Sequence, residues 1–410
     1  MSKPKPGTGI RFGPGILVTA AFIGPGTITT ASSAGAHFGF ALVWALVFSV
    51  IATMILQEMS ARLGLVTRAG LAEAMRASFN SPLFGKLAVI LIVAAVGIGN
   101  AAYEAGNIAG AALALNTVSN TGTAFWSLVI GIAAGLLLSS GRYRLLENTL
   151  IVLVLLMSIV FLMTAVMVAP SMGELLTGLF RPSLPPGSTM TVIALIGTTV
   201  VPYNLFLHAN SVREKWSAQV PVDQAIRESR MDSGLSIGLG GLITLAILST
   251  AAAAFFNSGL VFDGASLARQ LEPLLGPSAR YVFAAGLFAG GLTSAITAPL
   301  AAAYAVCGAM GWRNSLDGRG FRAVWATVLL SGTAFAALGS KPLAAILFAQ
   351  VANGLLLPIV AVFLLVVMNS RRLLGRHING PVANLLGALV VAIAFGLGIV
   401  KIVGVIGVLH

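Results

Sequence analysis

Long runs of apolar residues, separated by short polar connections, recur along the whole chain. The uninterrupted runs lie at 38–56, 87–116, 124–139, 145–169, 235–256, 281–312, 323–338, 343–368 and 382–409. A helix needs about 20 apolar residues to cross the hydrocarbon core of a bilayer, so we interpret each run as one membrane-spanning helix. The stretches 13–36 and 189–210 add two more. The pattern predicts an all-α polytopic membrane protein with eleven spans in a single transmembrane domain, residues 1–410.

Two of these spans are interrupted in the middle by proline. The first contains Gly24-Pro25-Gly26-Thr27, and the sixth contains Pro202 within GTTVVPYNLFLHAN. Proline in mid-helix removes a hydrogen bond, and an unpaired backbone group is costly in lipid. Such a break persists where it faces protein, water or a bound solute. A kink without a site is the alternative, but the matched pair predicts a midplane binding site in a secondary transporter.

The two interrupted spans lie five spans apart, which indicates an internal repeat. We predict a first repeat over about 13–169, a second over about 189–369, and an extra helix over about 381–409. Because five is an odd number, the two five-helix repeats must have opposite orientations in the membrane.

Basic residues are concentrated in alternate connections. The chain has 24 Lys and Arg against 12 Asp and Glu, yet only 9% of its residues are charged and 57% are hydrophobic. This composition excludes a soluble globule, and the distribution of charge reflects topology and not nucleic-acid binding. Only five of the basic residues fall on or towards the predicted outside: Arg181, Arg269, Arg280, Lys341 and Lys401. The positive-inside rule predicts a cytoplasmic N-terminus and an external C-terminus, in the lipid bilayer of a bacterial inner membrane.

Four segments resemble the Nramp family of divalent-metal transporters. They are LQEMSARLGLVTRAGLAEAMR at the end of the second span, VPYNLFLHANSV in the sixth, FAAGLFAGGLTSAITAPLA in the eighth and LFAQVANGLLLPIVAVFLL in the tenth. The resemblance extends over almost the whole chain. It implies a LeuT-like fold, with two inverted five-helix repeats, an eleventh helix, and breaks at the midplane in helices one and six.

The sequence departs from this family at the residues that hold the metal. The family binds its metal through an Asp and an Asn of a DPGN motif in helix one and a Met of an MPH motif in helix six. Gly24, Thr27 and Val201 stand at those positions, and Tyr203 replaces the His that follows. None of the family's side-chain metal ligands is retained, which indicates a divergent clade.

The residues at the two breaks are electrically neutral. The second half of helix one starts near Gly26, so its unpaired amides and positive dipole end are expected to point into the cavity. We therefore predict a small anion, such as bicarbonate or a small carboxylate, as the substrate. The alternative is a divalent metal cation, Mg²⁺ or Mn²⁺, held by carbonyls and hydroxyls. The predicted substrate site comprises Gly24, Pro25, Gly26, Thr27, Thr198, Val201, Tyr203, Asn204 and Gln350.

A second group of polar residues indicates how transport is driven. Glu104 is a carboxylate within the third span, and it aligns with one member of the family's proton-passing acidic pair, whereas Asn107 aligns with the other. His208 is either a second proton carrier or a packing residue. Three hydroxyls in helix eight resemble the sodium site of other LeuT-fold carriers, or else bond to their own helix. These hydroxyls belong to Thr293, Ser294 and Thr297. We predict coupling to Na⁺ or H⁺.

Other functional classes do not fit the pattern. A channel needs a continuous polar lining, and an enzyme or receptor needs a catalytic constellation or a soluble domain. We predict a carrier without enzymatic activity and without a cofactor other than a coupling Na⁺. Two smaller expectations concern the surface. Glu58 and Arg62 are interpreted as an exposed pair of small energetic value, and the polar segment 211–233 as a connection that holds a short surface helix.

Overall fold

Helices form almost the whole of the molecule. The structure is a computed structural model that describes residues 14–15, 23–78, 82–140, 144–312, 317–339 and 341–408, and these residues contain no strand. The helices of eight residues or more are α1 (Pro25–Phe38), α2 (Val43–Thr67), α3 (Leu71–Ser78), α4 (Pro82–Ile92), α5 (Gly99–Ser119), α6 (Thr123–Ser140), α7 (Arg144–Val168), α8 (Met172–Phe180), α9 (Thr189–Thr199), α10 (Pro202–Lys215), α11 (Val222–Phe255), α12 (Ala279–Met310), α13 (Arg319–Leu338), α14 (Pro342–Met368) and α15 (Pro381–Val408). Shorter helical segments lie at Val93–Ile98, Leu267–Leu271, Glu272–Leu275, Gly276–Ser278, Arg371–Leu374 and Gly375–His377.

Ten helical segments within the described residues are long and apolar enough to cross a membrane, and they correspond to the predicted spans two to eleven. The chain is an integral membrane protein, as predicted. For the first span, α1 supplies the 14 residues after the break. Residues 16–22, which would form most of the half before it, lie outside the described residues. The boundaries of the two predicted repeats remain a prediction.

The broken helices lie at the centre of the bundle. In the segment Thr189–Lys215, which contains both halves of the sixth span, 83% of the most apolar stretch is buried. All residues of α1 from Pro25 to Ala36 are also buried. By contrast, only 22% of the corresponding stretch is buried in Thr123–Ser140 and in Pro381–Ile399. Spans four and eleven therefore face mainly lipid, whereas α1 and the sixth span are enclosed by protein.

Glycines let the central helices approach one another at backbone distance. A Cβ atom on Gly35 of α1 would lie 2.1 Å from the carbonyl oxygen of Leu248 in α11, and one on Gly197 of α9 would lie 2.0 Å from the carbonyl oxygen of Gln350 in α14. No larger residue fits at either position without movement of the backbone. Close contact between small residues is the usual basis of helix association in membranes. It holds both broken spans against unbroken neighbours.

Two expectations about the polar segments are wrong. The segment 211–233 holds no separate surface helix: its first residues continue α10 to Lys215, and from Val222 onward it forms the start of α11, which runs unbroken through the seventh span. The pair of Glu58 and Arg62 is not exposed either. Arg62 is 7% exposed and also donates to the carbonyls of His377 and Ile378 at 2.8 and 3.1 Å. These contacts tie α2 to the segment before α15, which sequence spacing does not reveal.

Candidate functional site

The sixth span is broken as predicted. α9 ends at Thr199, the next two residues are non-helical, with φ −94° and ψ 69° at Val200 and φ −74° and ψ 119° at Val201, and α10 begins at Pro202. In the first span Gly24 is extended, with φ −121° and ψ −169°, and α1 begins at Pro25. Proline has no N–H to lose at the first position of a helix, which explains why both helices restart there.

A hydrogen bond between two hydroxyls joins the two breaks. The Oγ1 atoms of Thr27 and Thr198 lie 2.8 Å apart, and both side chains are fully buried. Thr27 lies in the first turn of α1, and Thr198 is the second-last residue of α9. The two predicted site residues thus come together, with two hydroxyl oxygens at one point of the membrane interior.

The two glycines of the first break are covered by protein side chains. A Cβ on Gly24 would lie 3.0 Å from the Oγ of Ser294 in α12, and one on Gly26 would lie 2.3 Å from the Nε2 of Gln350 in α14. We expected these glycines to let a solute approach the backbone. Instead they make room for Ser294 beside Gly24 and for Gln350 beside Gly26.

Several buried polar atoms around the breaks have no hydrogen-bonding partner in the protein. They are Asn204 Oδ1 and Nδ2, Ser294 Oγ, Gln350 Oε1 and Asn353 Nδ2. Most buried polar groups in proteins are paired, so such groups need an explanation. A bound substrate supplies one. Sequence analysis missed Asn353, although its position three residues after Gln350 places it on the same face of α14.

The electrostatics of the breaks differ from the expectation. α1 does point its N-terminus at the break, but Pro25 has no N–H, so its first turn offers fewer donors than predicted. The end of α9 was overlooked: its last carbonyls, up to Val200, form the negative pole of a half-helix at the break in the sixth span, which the Thr27–Thr198 hydrogen bond joins to the break in the first. The two poles together favour neither sign of charge alone. Val201 is buried and contributes no polar side-chain atom.

Tyr203, beside the break, packs against the chain neighbour of Glu104. Its ring packs against Tyr103 of α5 with a centroid separation of 5.3 Å. The adjacent Glu104 is fully buried, and its Oε2 accepts a hydrogen bond from Asn107 Nδ2 at 3.3 Å, while Oε1 has no partner. Among the described residues it is the only buried carboxylate. This placement agrees with a functional role for the acid.

The other candidate coupling residues are mostly engaged. Thr293 Oγ1 donates to the carbonyl of Ala289 at 2.8 Å, and Thr297 Oγ1 donates to that of Thr293 at 3.0 Å, so both bond to their own helix. Ser294 differs from these two, because its Oγ has no partner and lies beside Gly24 at the first break.

His208 is fully buried between three helices. Its Nδ1 lies 2.9 Å from Gln57 Oε1 of α2, and its Nε2 lies 3.3 Å from Ser233 Oγ of α11. These contacts are those of a packing residue. Across the described part of the chain, no three His, Cys, Asp or Glu side chains gather into a metal cluster.

Comparison with known proteins shows which sequences resemble this chain. A family model described as natural resistance-associated macrophage protein-like (Nramp) matches residues 15–404. A protein named divalent metal cation transporter MntH from Aeromonas hydrophila is 29% identical over 398 residues, which cover 96% of this chain and 95% of that protein. A protein of the same name from Bradyrhizobium diazoefficiens is 31% identical over 385 residues, which cover 90% and 83%.

Solved structures agree on the fold. A variant of the manganese transporter of Eremococcus coleocola superposes with a TM-score of 0.78 at 23% identity, covering 98% of this chain and 89% of that one. MhsT in complex with L-phenylalanine gives a TM-score of 0.61 at 16% identity, covering 93% and 98%. At these sequence identities the structures are evidence for the fold alone, and they confirm the predicted LeuT-like arrangement.

Proposed function

Because the chain belongs to the Nramp family, we propose that it is a secondary transporter that carries a divalent metal cation across the bacterial inner membrane by alternating access. The family consists of transporters and not of enzymes. The match over residues 15–404, together with relatives named divalent metal cation transporter at 29–31% identity, carries this proposal.

The prediction of a small anion is wrong. Relatives that cover 90% or more of the chain are named for divalent metal cations, and none of those compared points to bicarbonate or a carboxylate. The physical argument for an anion had considered only the amide end of α1. Pro25 weakens that end, and the carbonyl end of α9 opposes it. Neither observation leaves a preference for an anion, and the names of the relatives favour the alternative, a divalent cation.

The donors at the breaks define which divalent cation fits. Thr27, Thr198, Ser294, Asn204 and Gln350 offer hydroxyl and amide oxygens, and the end of α9 offers carbonyl oxygens. Hard cations such as Mg²⁺ and Mn²⁺ prefer oxygen ligands, and Mg²⁺ usually retains several waters. Thiolate, thioether and imidazole, which favour softer transition metals, are missing from this donor set. Selectivity is therefore shifted towards oxygen-liganded cations.

Glu104 provides the negative charge that compensates the bound cation. A divalent charge in the membrane interior is costly unless an opposite charge lies nearby. Glu104 supplies one carboxylate, reached from the break through Tyr203 and Tyr103. Loss of its proton as the cation arrives, and the return of that proton later, would couple transport to H⁺. Ser294 beside Gly24 remains the place where a coupling Na⁺ would bind.

Purified protein in liposomes tests the proposal. Uptake of Mn²⁺ and Mg²⁺ is measured with entrapped indicators under imposed pH and Na⁺ gradients, with protein-free liposomes as the control. We expect saturable uptake, with Mg²⁺ competing against Mn²⁺. If no divalent cation is taken up above the protein-free control, the proposal is wrong.

A further inference from the structure

One buried glutamine fastens the connection between α11 and α12 onto α1. Gln270 is fully buried, and its Oε1 accepts a hydrogen bond from Ser32 Oγ of α1 at 3.0 Å. Thr250 Oγ1 of α11 shares its proton between Gln270 Oε1 at 3.3 Å and the carbonyl of Ile247 at 3.0 Å. Its Nε2 donates to the carbonyl of Leu267 at 2.8 Å. A single side chain thus ties a connection outside the long helices to two of them.

The segment Leu267–Leu271 has two different faces. It is a 3₁₀-helix, in which residues three apart share a face, so Leu267 and Gln270 both point into the protein. Arg269 is exposed on another face and lines a cavity of about 780 Å³. Asn116 and Asn120 from the end of α5 line the same cavity. The segment therefore separates the cavity from α1.

Behind this segment, α1 carries hydroxyls that have no partner. Thr29 Oγ1 and Thr30 Oγ1 are buried and unpaired. Thr29 lies three residues before Ser32, on the same face of α1 and one turn nearer the break. A buried threonine in a helix commonly donates to its own helix, as Thr53 and Thr244 do here at 2.7 and 2.8 Å. The unpaired hydroxyl of Thr29, on the same face as Ser32, is suited to replace a hydration water of a passing ion.

We propose that the cargo passes from this cavity to the Thr27 site along the face of α1 that carries Ser32 and Thr29, and that Gln270 is the residue that closes this route. Opening breaks the two hydrogen bonds from Ser32 and Thr250, and the segment Leu267–Leu271 moves away from α1. The route rests on the proposed transport function, but the closure by Gln270 is tested without any cargo.

The test is thiol labelling of a reporter at Thr29. The variant Thr29→Cys is made in a Cys307→Ala background, since Cys307 is the only cysteine in the chain. A charged, membrane-impermeant thiol reagent is added separately to each side of reconstituted liposomes. Loss of the cross-helix hydrogen bonds in Gln270→Leu should raise the labelling rate about tenfold, from one side only.

Two further variants make the result decisive. Ser32→Ala removes the hydrogen bond from Ser32 of α1 to Gln270, and it should also raise the labelling rate. This variant replaces Gln270→Leu as the test if Gln270→Leu does not fold. Ser249→Ala is the matched control, because Ser249 is equally buried in α11 but donates only to the carbonyl of Leu245 at 2.8 Å. Equal labelling rates in Gln270→Leu, Ser32→Ala and Ser249→Ala would show that Gln270 does not close the route. Increased labelling in a protein that takes up no divalent cation supports the closure and refutes only the transport proposal.

Discussion

The hydroxyl oxygens of Thr27 and Thr198 lie 2.8 Å apart although the residues are separated by 171 positions in the chain. Each hydroxyl lies at the end of a half-helix, one at the start of α1 and one near the end of α9. A hydrogen bond between two such ends is readily exchanged for two bonds to a cation. The pair is therefore both a structural link and the most direct candidate for substrate contact.

Thr27→Val keeps the shape of the side chain and removes its hydroxyl. We expect the rate of divalent cation uptake to fall about tenfold, which corresponds to about 1.4 kcal/mol of lost interaction. Thermal stability in detergent should change little, because one hydrogen bond inside a membrane protein contributes only about 0.6 kcal/mol. Thr199→Val is the control, since Thr199 is equally buried but donates to the carbonyl of Leu195 in its own helix. Equal uptake by both variants would remove Thr27 from the site.

Gly26→Ala should displace Gln350. The new methyl group would lie 2.3 Å from Gln350 Nε2, so the side chain must leave its place beside the break. We expect slower uptake in Gly26→Ala and an unequal effect of Gln350→Ala in the two backgrounds, measured as a double-mutant cycle. Gly234→Ala is the control, because nothing lies within 4 Å of a Cβ at Gly234. Strict additivity of Gly26→Ala and Gln350→Ala contradicts the contact.

Asn204→Leu separates function from stability. Neither polar atom of the Asn204 side chain has a partner, so an apolar replacement removes two unpaired buried groups. We expect the melting temperature to stay the same or rise, while cation uptake falls to the level of protein-free liposomes. In Asn210→Leu the melting temperature should fall, because Asn210 Nδ2 donates to the carbonyl of Phe206 at 2.9 Å. Normal uptake by Asn204→Leu would show that Asn204 is not a ligand.

Glu104→Gln tests the coupling. Glutamine retains the contact with Asn107 but cannot release a proton at any accessible pH. We expect uptake by Glu104→Gln to lose its response to an imposed pH gradient, whereas the response of the wild-type protein persists. Glu174→Gln, at an exposed acid of α8, should behave like the wild type. A gradient response that survives in Glu104→Gln excludes this carboxylate as the proton carrier.

Much of the fold is already determined by local sequence. The spans are visible because lipid imposes a minimum length of apolar residues, and Pro25 and Pro202 mark the breaks because proline cannot continue a helix from within. The exclusion of a soluble globule also follows from composition. The family is identifiable from short segments in four spans.

The contacts that form the site could not be predicted from local sequence. That Ser294 and Gln350 fill the space beside Gly24 and Gly26 depends on contacts between residues hundreds of positions apart. The negative pole of α9 cannot be weighed from the residues of the first break alone. The electric field at the site is the sum of the fields of two helix ends, the start of α1 and the end of α9. Gln270 has no marked pattern around it in the sequence, and its burial arises only when the connection between α11 and α12 folds over α1.

The sequence by itself determined that this chain spans a membrane, where two of its helices break, and which family it joins, because apolar length, proline and short motifs act through neighbours in the chain. Only the tertiary structure decided which groups meet at the breaks. Close helix packing brings Thr27 to Thr198 and Gln270 to Ser32, and the resulting pattern of paired and unpaired polar atoms exists only in three dimensions.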